Sequence, residues 1–291
     1  MKTLQSFFVI ALSLCATVTT HAQEKKFPVL KGPYLGQKPP GMKPEIFAQG
    51  IISMPTSKEY ACTFSADGNE FYYTITRNKT QMIMCSKKET GVWSAPEPVK
   101  FSEGYFAHEP HVSHDNQRIY WAWAKPSSDG NYGTYFSERT RNGWSEARYA
   151  GKEWSISTTW DGKLYATDTE PSNGNSYLCE VIMKDGRFLE NKRILDGIEK
   201  LRPKYDRVAH PCLAKDGSYI IFDVDGGYHL FISFKNENGK WGEPIDLSDK
   251  GFDKKDGIAS LSPDGKYLFF QRNENIYWIS AKIIEELRPK E

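Results

Sequence analysis

The chain has 291 residues, with 38 Lys and Arg against 37 Asp and Glu, and 14% of it is aromatic. That length allows one large domain or two average ones with ample core, and a near-zero balance lacks the basic excess of a nucleic-acid surface, so no nucleic-acid partner is expected. Sixteen Tyr, 16 Phe and 8 Trp, without long runs rich in Ala, Leu and Glu, lean the composition towards β structure.

Residues 1–22 read as a secretory signal peptide. Lys2 supplies the positive start, residues 7–18 an apolar core too short to span a bilayer, and Thr20 and Ala22 the small residues before a cut after Ala22. Removing it leaves 37 basic against 37 acidic side chains, so nothing draws the mature chain to polyanions or membrane surfaces. Cys15 follows the large Leu14, where a lipoprotein signal needs a small residue. A soluble periplasmic or secreted protein is therefore expected, with no later transmembrane segment. Residues 23–43, with Pro39-Pro40-Gly41, read as a lead-in arm. The mature cysteines Cys62, Cys85, Cys179 and Cys212 are even in number, but their apolar settings favour buried thiols, and none has zinc-site spacing.

From residue 63 onwards the chain repeats itself. Segments 63–73, 111–121, 157–167, 212–222 and 260–270 align on Asp67, Asp115, Asp161, Asp216 and Asp264, each followed by Gly or Asn between two short apolar runs. Such dipeptides tolerate the left-handed backbone of a tight hairpin turn, so each motif joins a first strand to a second. A third strand is expected at 81–86, 132–137, 176–183, 228–234 and 275–282, and a fourth beginning near Trp93, Trp144, Phe188 and Trp241. Four strands in five units predict an all-β fold, a five-bladed β-propeller occupying 44–291 with blades starting near 59, 107, 153, 208 and 256. The fifth unit lacks its fourth strand. Residues 44–48 have no hairpin partner of their own, so the last blade is expected to be closed by this N-terminal strand, which removes two exposed sheet edges.

Ser262-Pro263-Asp264-Gly265-Lys266 and its four variants resemble the WD40-like repeat of TolB-type bacterial β-propellers, and the likeness covers most of the mature chain. The opening stretch 32–41 resembles the lead-in of exported bacterial members of that group without a settled activity. The resemblance implies a propeller of a kind that includes scaffolds, peptide-binding domains and some enzymes, and so admits a periplasmic protein partner.

On one face of such a ring, loops on a rigid scaffold are where a site would be built. Aligned first strands place Tyr60, His108, Trp154, Ala209 and Gly257 in one column, and Ala61, Glu109, Ser155, His210 and Ile258 in the next. The second blade carries His108-Glu109-Pro110-His111-Val112-Ser113-His114. Imidazole and carboxylate suit a divalent metal, but strand alternation separates His108 from His111, and Pro110 opposes a helix, so no cofactor is expected, with a metal as the sharper alternative. Second-strand ends add Arg77, Lys125, Asp168, Asp223, Asp225 and Arg272. Entering loops add Tyr105, Arg202, Lys204, Tyr205 and Arg207.

Mixed charges with aromatics suit an oligosaccharide, particularly an acidic one, or a peptide, with Arg77, Trp154, Asp168, Arg207, Asp225 and Arg272 as ligand contacts. The chain is then a monomeric carbohydrate- or peptide-binding propeller. A polysaccharide-degrading lyase or hydrolase is the enzyme alternative, with His210 or His108 as base and Glu109 as acid, or with Glu109 and Asp168 as the carboxylate pair of an inverting hydrolase. A protein-interaction scaffold is the third reading. There is no Gly-x-Ser-x-Gly elbow, phosphate-binding glycine loop or His-Glu-x-x-His helix.

Overall fold

In the computed structural model, which describes residues 27–104, 106–124, 132–202, 204–226 and 228–290, the repeat is visible first at its turns. The Ser65 hydroxyl donates to Asp67 Oδ1 (2.6 Å), which also accepts from the Asn69 N–H (3.0 Å). Ser113 with Asp115 and Ser262 with Asp264 repeat the contact at 2.6 and 2.7 Å, and Thr159 makes it with Asp161. Blade four has Ala214 at this place, and Asp216 accepts from the Ser218 N–H (3.0 Å). The next residue is left-handed in every copy: Gly68, Asn116, Gly162, Gly217 and Gly265, with φ between 59 and 81°. This backbone is why the motif reads Asp-Gly or Asp-Asn. Residues 1–22, Tyr105 and Lys125 lie outside the described residues.

These turns join the strands of five antiparallel sheets. The inner strands are Lys58–Phe64, Phe106–Val112, Trp154–Thr158, Val208–Leu213 and Gly257–Leu261. Each is followed outward by a second strand, Glu70–Arg77, Arg118–Ala124, Leu164–Thr169, Tyr219–Val224 and Tyr267–Arg272. The third strands are Thr80–Glu89, Gly133–Thr140, Ser176–Lys184, Tyr228–Phe234 and Asn275–Ser280. An apolar cluster fills each of the five seams between consecutive blades, which is what makes the sheets one ring. The short helix Lys282–Leu287 adds Ile283 and Ile284 to the seam of blades four and five.

Among the described residues, only blade three has a long fourth strand, Arg187–Arg193. In blade one, Val92–Trp93 is a hairpin extension and the outer strand proper is Glu97–Pro98. In blade four, Trp241 makes a single bridge before Ile245–Asp246. Pro96 and Pro244, which have no N–H to donate, stand in these gaps.

The ring closes as the repeat count predicts: Glu45 pairs with Trp278 and Ile46 with Tyr277, and the Phe47 N–H donates to the Ile276 carbonyl (2.8 Å). Phe47 is wholly buried, its ring 5.1 to 5.2 Å from those of Phe71, Phe269 and Trp278. The arm is tied on by Leu30–Lys31, paired with Val92–Trp93, and by the Trp93 indole N–H, which donates to the Gly32 carbonyl (2.8 Å). Cys62, Cys85, Cys179 and Cys212 are free and buried, and burial pushes each thiol up to about 12.

Candidate functional site at the channel

Every inner strand breaks its ladder at the same place. The register shifts between Tyr60 and Cys62, His108 and His111, Trp154 and Ser157, Ala209 and Cys212, and Gly257 and Ser260. Within each shift one non-glycine residue is left-handed: Ala61, Glu109, Ser155, His210 and Ile258, with φ between 45 and 55°. Such residues are uncommon singly, so five at equivalent positions form a built device, a ring of bulges that re-aims side chains around the axis. All five line a central channel of about 70 Å³.

The freed N–H groups find partners in the preceding blade. Glu109 N–H donates to Thr74 Oγ1 (2.9 Å), His210 N–H to Thr167 Oγ1 (3.1 Å), and Ile258 N–H to Asp223 Oδ2 (2.8 Å). Thr74, Thr167 and Asp223 occupy one position, each paired with the residue before its own blade's bulge. Asp223 thus does the work of a threonine and has an oxygen to spare. That oxygen, Oδ1, lies 2.8 Å from His210 Nδ1.

On its other side, His210 Nε2 lies 3.5 Å from Glu109 Oε1, which is also 3.0 Å from His108 Nδ1. Glu109, His210 and Asp223 are all buried. Burial opposes a charged imidazole, yet Asp223 and Glu109, one at each ring nitrogen, push His210 up to about 10. Burial likewise opposes a charged carboxylate at Glu109, but His210 and His108 hold it well below the usual range. Burial pushes Asp223 up, and the His210 charge draws it back. At neutral pH these shifts favour an imidazolium facing the Glu109 carboxylate, with Asp223 at its other nitrogen. Glu109 Oε2 is buried and has no hydrogen-bond partner among the described residues.

Aromatic rings stand around this centre. Trp154 meets His210 edge-on at 5.0 Å, its indole N–H donating to Thr169 Oγ1 (2.9 Å). Tyr132 is 6.3 Å from the rings of both Trp154 and His108, and Tyr60 accepts from Gln81 Nε2 (2.7 Å). Burial and the Glu109 charge raise the Tyr60 and Tyr132 hydroxyls, keeping both protonated.

Of the residues expected from sequence, His108, Glu109, Trp154 and His210 come together here. The others are engaged elsewhere. Asp168 is buried between Lys152 Nζ (2.7 Å) and Arg193 Nε (2.9 Å). Burial raises its pKa, but those two cations lower it further and favour its ionised form between them. Arg272 grips the buried Asp256, Nε to Oδ1 at 2.7 Å and Nη2 to Oδ2 at 2.5 Å, over the rings of Phe270 and Tyr277. Arg77, Arg207 and Asp225 are exposed, and the Asp225 N–H donates to the Arg207 carbonyl (3.2 Å). His111 bonds Thr158 Oγ1 (2.9 Å) and is pushed down to about 3 by burial and by His114. Among the described residues no three His, Cys, Asp or Glu stand together as metal ligands.

The expected roles of His210 or His108 as base and Glu109 as acid draw no support from these shifts, which favour the protonated form of His210 and the ionised form of Glu109. The importance of Asp223 to His210 and of Tyr132 was not drawn from sequence. The signal for Asp223 was an aspartate at the position where blades one and three carry threonine.

No protein-family model matches the chain, and no curated protein matches it. Among solved structures the chain is similar to a putative TolB from Agrobacterium tumefaciens, at 15% identity over 74% of this chain and 69% of that one, with a TM-score of 0.49. It is also similar to TolB from Acinetobacter baumannii, at 16% identity and a TM-score of 0.44 over 76% of this chain, spanning 54% of that one. An alpha-L-arabinofuranosidase from Lactobacillus brevis is similar at 13% identity and a TM-score of 0.48, over 78% of this chain and 91% of that one. These are likenesses of shape, and no activity is drawn from them.

Proposed function

We propose that the chain is an exported, monomeric propeller that binds a carbohydrate or peptide ligand at the channel mouth through Glu109, His108, His210, Trp154 and Tyr132. The observation that carries this reading is the buried, ionised Glu109, held by two histidines with one oxygen unpartnered beside a group of aromatic rings. Rings cover the apolar face of a sugar or side chain, and a fixed acceptor orients it. A channel of about 70 Å³ is far below the roughly 300–1,000 Å³ of sites that enclose a ligand. The ligand therefore docks across the mouth and sends in one group. A signal-like stretch at 1–22 supports export, and among the described residues no helix is long and apolar enough to cross a membrane.

Binding is favoured over acid–base catalysis because His210, raised to about 10, is a weak acid and Glu109, held well below the usual carboxylate range, is a weak base at neutral pH. A thermal-shift screen of the full chain against neutral, uronic and sulfated oligosaccharides and short peptides tests the reading. A ligand at a hundred times its Kd stabilises by about 2.7 kcal/mol, a shift of roughly 5–10 °C for a domain this size. The shift should vanish in Trp154→Ala. A shift indifferent to that substitution, or none with any ligand, refutes mouth binding.

A further inference from the structure

One acceptor at the mouth is unmet. Glu109 Oε1 meets both His108 and His210, and the remaining bulge positions, Ala61, Ser155 and Ile258, carry no charge. Among the described residues the nearby cations Lys152 and Arg193 are both held by Asp168. Glu109 is only 8% exposed, and its Oε2 is a charged acceptor left without a donor. An ionised carboxylate only accepts, so whatever completes it must donate, and leaving it unmade is expensive in a buried setting.

We propose that the group this mouth takes from its ligand is a primary ammonium, of an amino sugar or of a peptide N-terminus, hydrogen-bonded to Glu109 Oε2 and faced by the rings of Trp154 and Tyr132. This rests on the mouth-binding reading above and names the chemistry it selects. A hydroxyl would give Oε2 a neutral donor, whereas an ammonium gives it a stronger, charge-assisted one. Aromatic faces attract the same cation, and a uronate or sulfate would bring further acceptors to an oxygen that needs a donor. A metal ion is a poorer fit, because both nitrogens of His210 are engaged by carboxylates and no three-ligand group is present among the described residues.

The test is calorimetric titration of the full chain at pH 7 with a glucosamine tetramer and with triglycine, each beside its N-acetylated form. Free amines should bind about ten- to a hundredfold more tightly than their acetylated counterparts, the ratio a charge-assisted hydrogen bond supplies. Glu109→Gln should collapse that ratio towards one. Tyr132 is 44% exposed, so Tyr132→Ala should keep the fold while weakening amine binding about two- to fivefold. Whichever of the two amines binds identifies the source. Equal, Trp154-dependent binding of free and acetylated forms overturns the ammonium and leaves mouth binding standing. No binding of any of the four compounds overturns the ammonium, and mouth binding falls with it only where the wider thermal-shift panel is also blank.

Discussion

His210→Gln isolates the charge at the centre of the channel. With a folded pKa raised to about 10 against about 6.5 in the unfolded chain, the imidazole contributes stability that is fully present below pH 6.5 and is lost as pH rises through 10. Between pH 6.5 and 8.5 that loss is about 2 kcal/mol. The groups facing the ring are Asp223 from the second strand of its own blade, Glu109 and His108 from the inner strand of blade two, and the uncharged Trp154 of blade three. His111 and His114 are pushed down by burial, so they bind fewer protons folded than unfolded and make stability rise with pH. Both persist in the variant and cancel in the comparison, as do the four buried thiols. The assay is urea unfolding of wild type and variant at pH 6.5, 7.5 and 8.5, read by tryptophan fluorescence. Wild type should lose about 2 kcal/mol more than His210→Gln across that range. Parallel pH profiles would mean that His210 is neutral in the folded state, and the binding reading would lose its main support over catalysis.

Arg272→Ala strands the buried Asp256 and should cost about 3–5 kcal/mol in urea unfolding, while exposed Arg77→Ala stays within about 0.5 kcal/mol; similar values for both would mean that the Arg272 clamp does not hold the fold. Phe47→Ala removes the ring that joins the first and last blades and should cost about 3–5 kcal/mol, lowering Tm by roughly 10 °C in a thermal scan. A loss under about 1 kcal/mol would show that the N-terminal strand does not close the ring. Ala214→Ser restores the hydroxyl that four other turns use to hold their aspartate and should stabilise by about 1 kcal/mol, checked by the urea midpoint.

The fold was legible because its turns repeat. Asp67, Asp115, Asp161, Asp216 and Asp264 each precede a left-handed residue, a backbone demand that restricts the sequence and so shows in it. The closing strand was legible by arithmetic, since one blade lacked a strand and 44–48 lacked a partner. The site was half legible. Glu109 and His210 fall in one column because all five inner strands bulge at the same residue. Who pairs with whom was hidden by strand alternation. Asp168 and Arg272 look as available as Asp223, yet each follows the residue, Thr167 or Gln271, that is equivalent to Asp223. A one-residue step on a strand reverses the face. It carries Asp168 to Lys152 and Arg193, and Arg272 to Asp256, and leaves Asp223 to His210.

Glu109 and His210 belong to blades two and four, with Ser155 of blade three between them in the ring, so their 3.5 Å approach spans the channel. Five bulges make that approach short enough for two side chains to meet across the axis, and the same narrowness leaves only about 70 Å³ within. The scaffold therefore supplies five equivalent, inward-aimed positions and fixes how far apart they are. Chemistry enters where the fivefold pattern is broken, with Ala61, Ser155 and Ile258 as inert members and Glu109 and His210 as the charged pair. Asp223 breaks a second pattern, replacing the threonine of blades one and three, and so keeps His210 charged where burial alone would neutralise it. Two departures from a repeat, neither informative singly, converge on one imidazole. The residues that depart from their column mark this mouth more sharply than any motif within one blade.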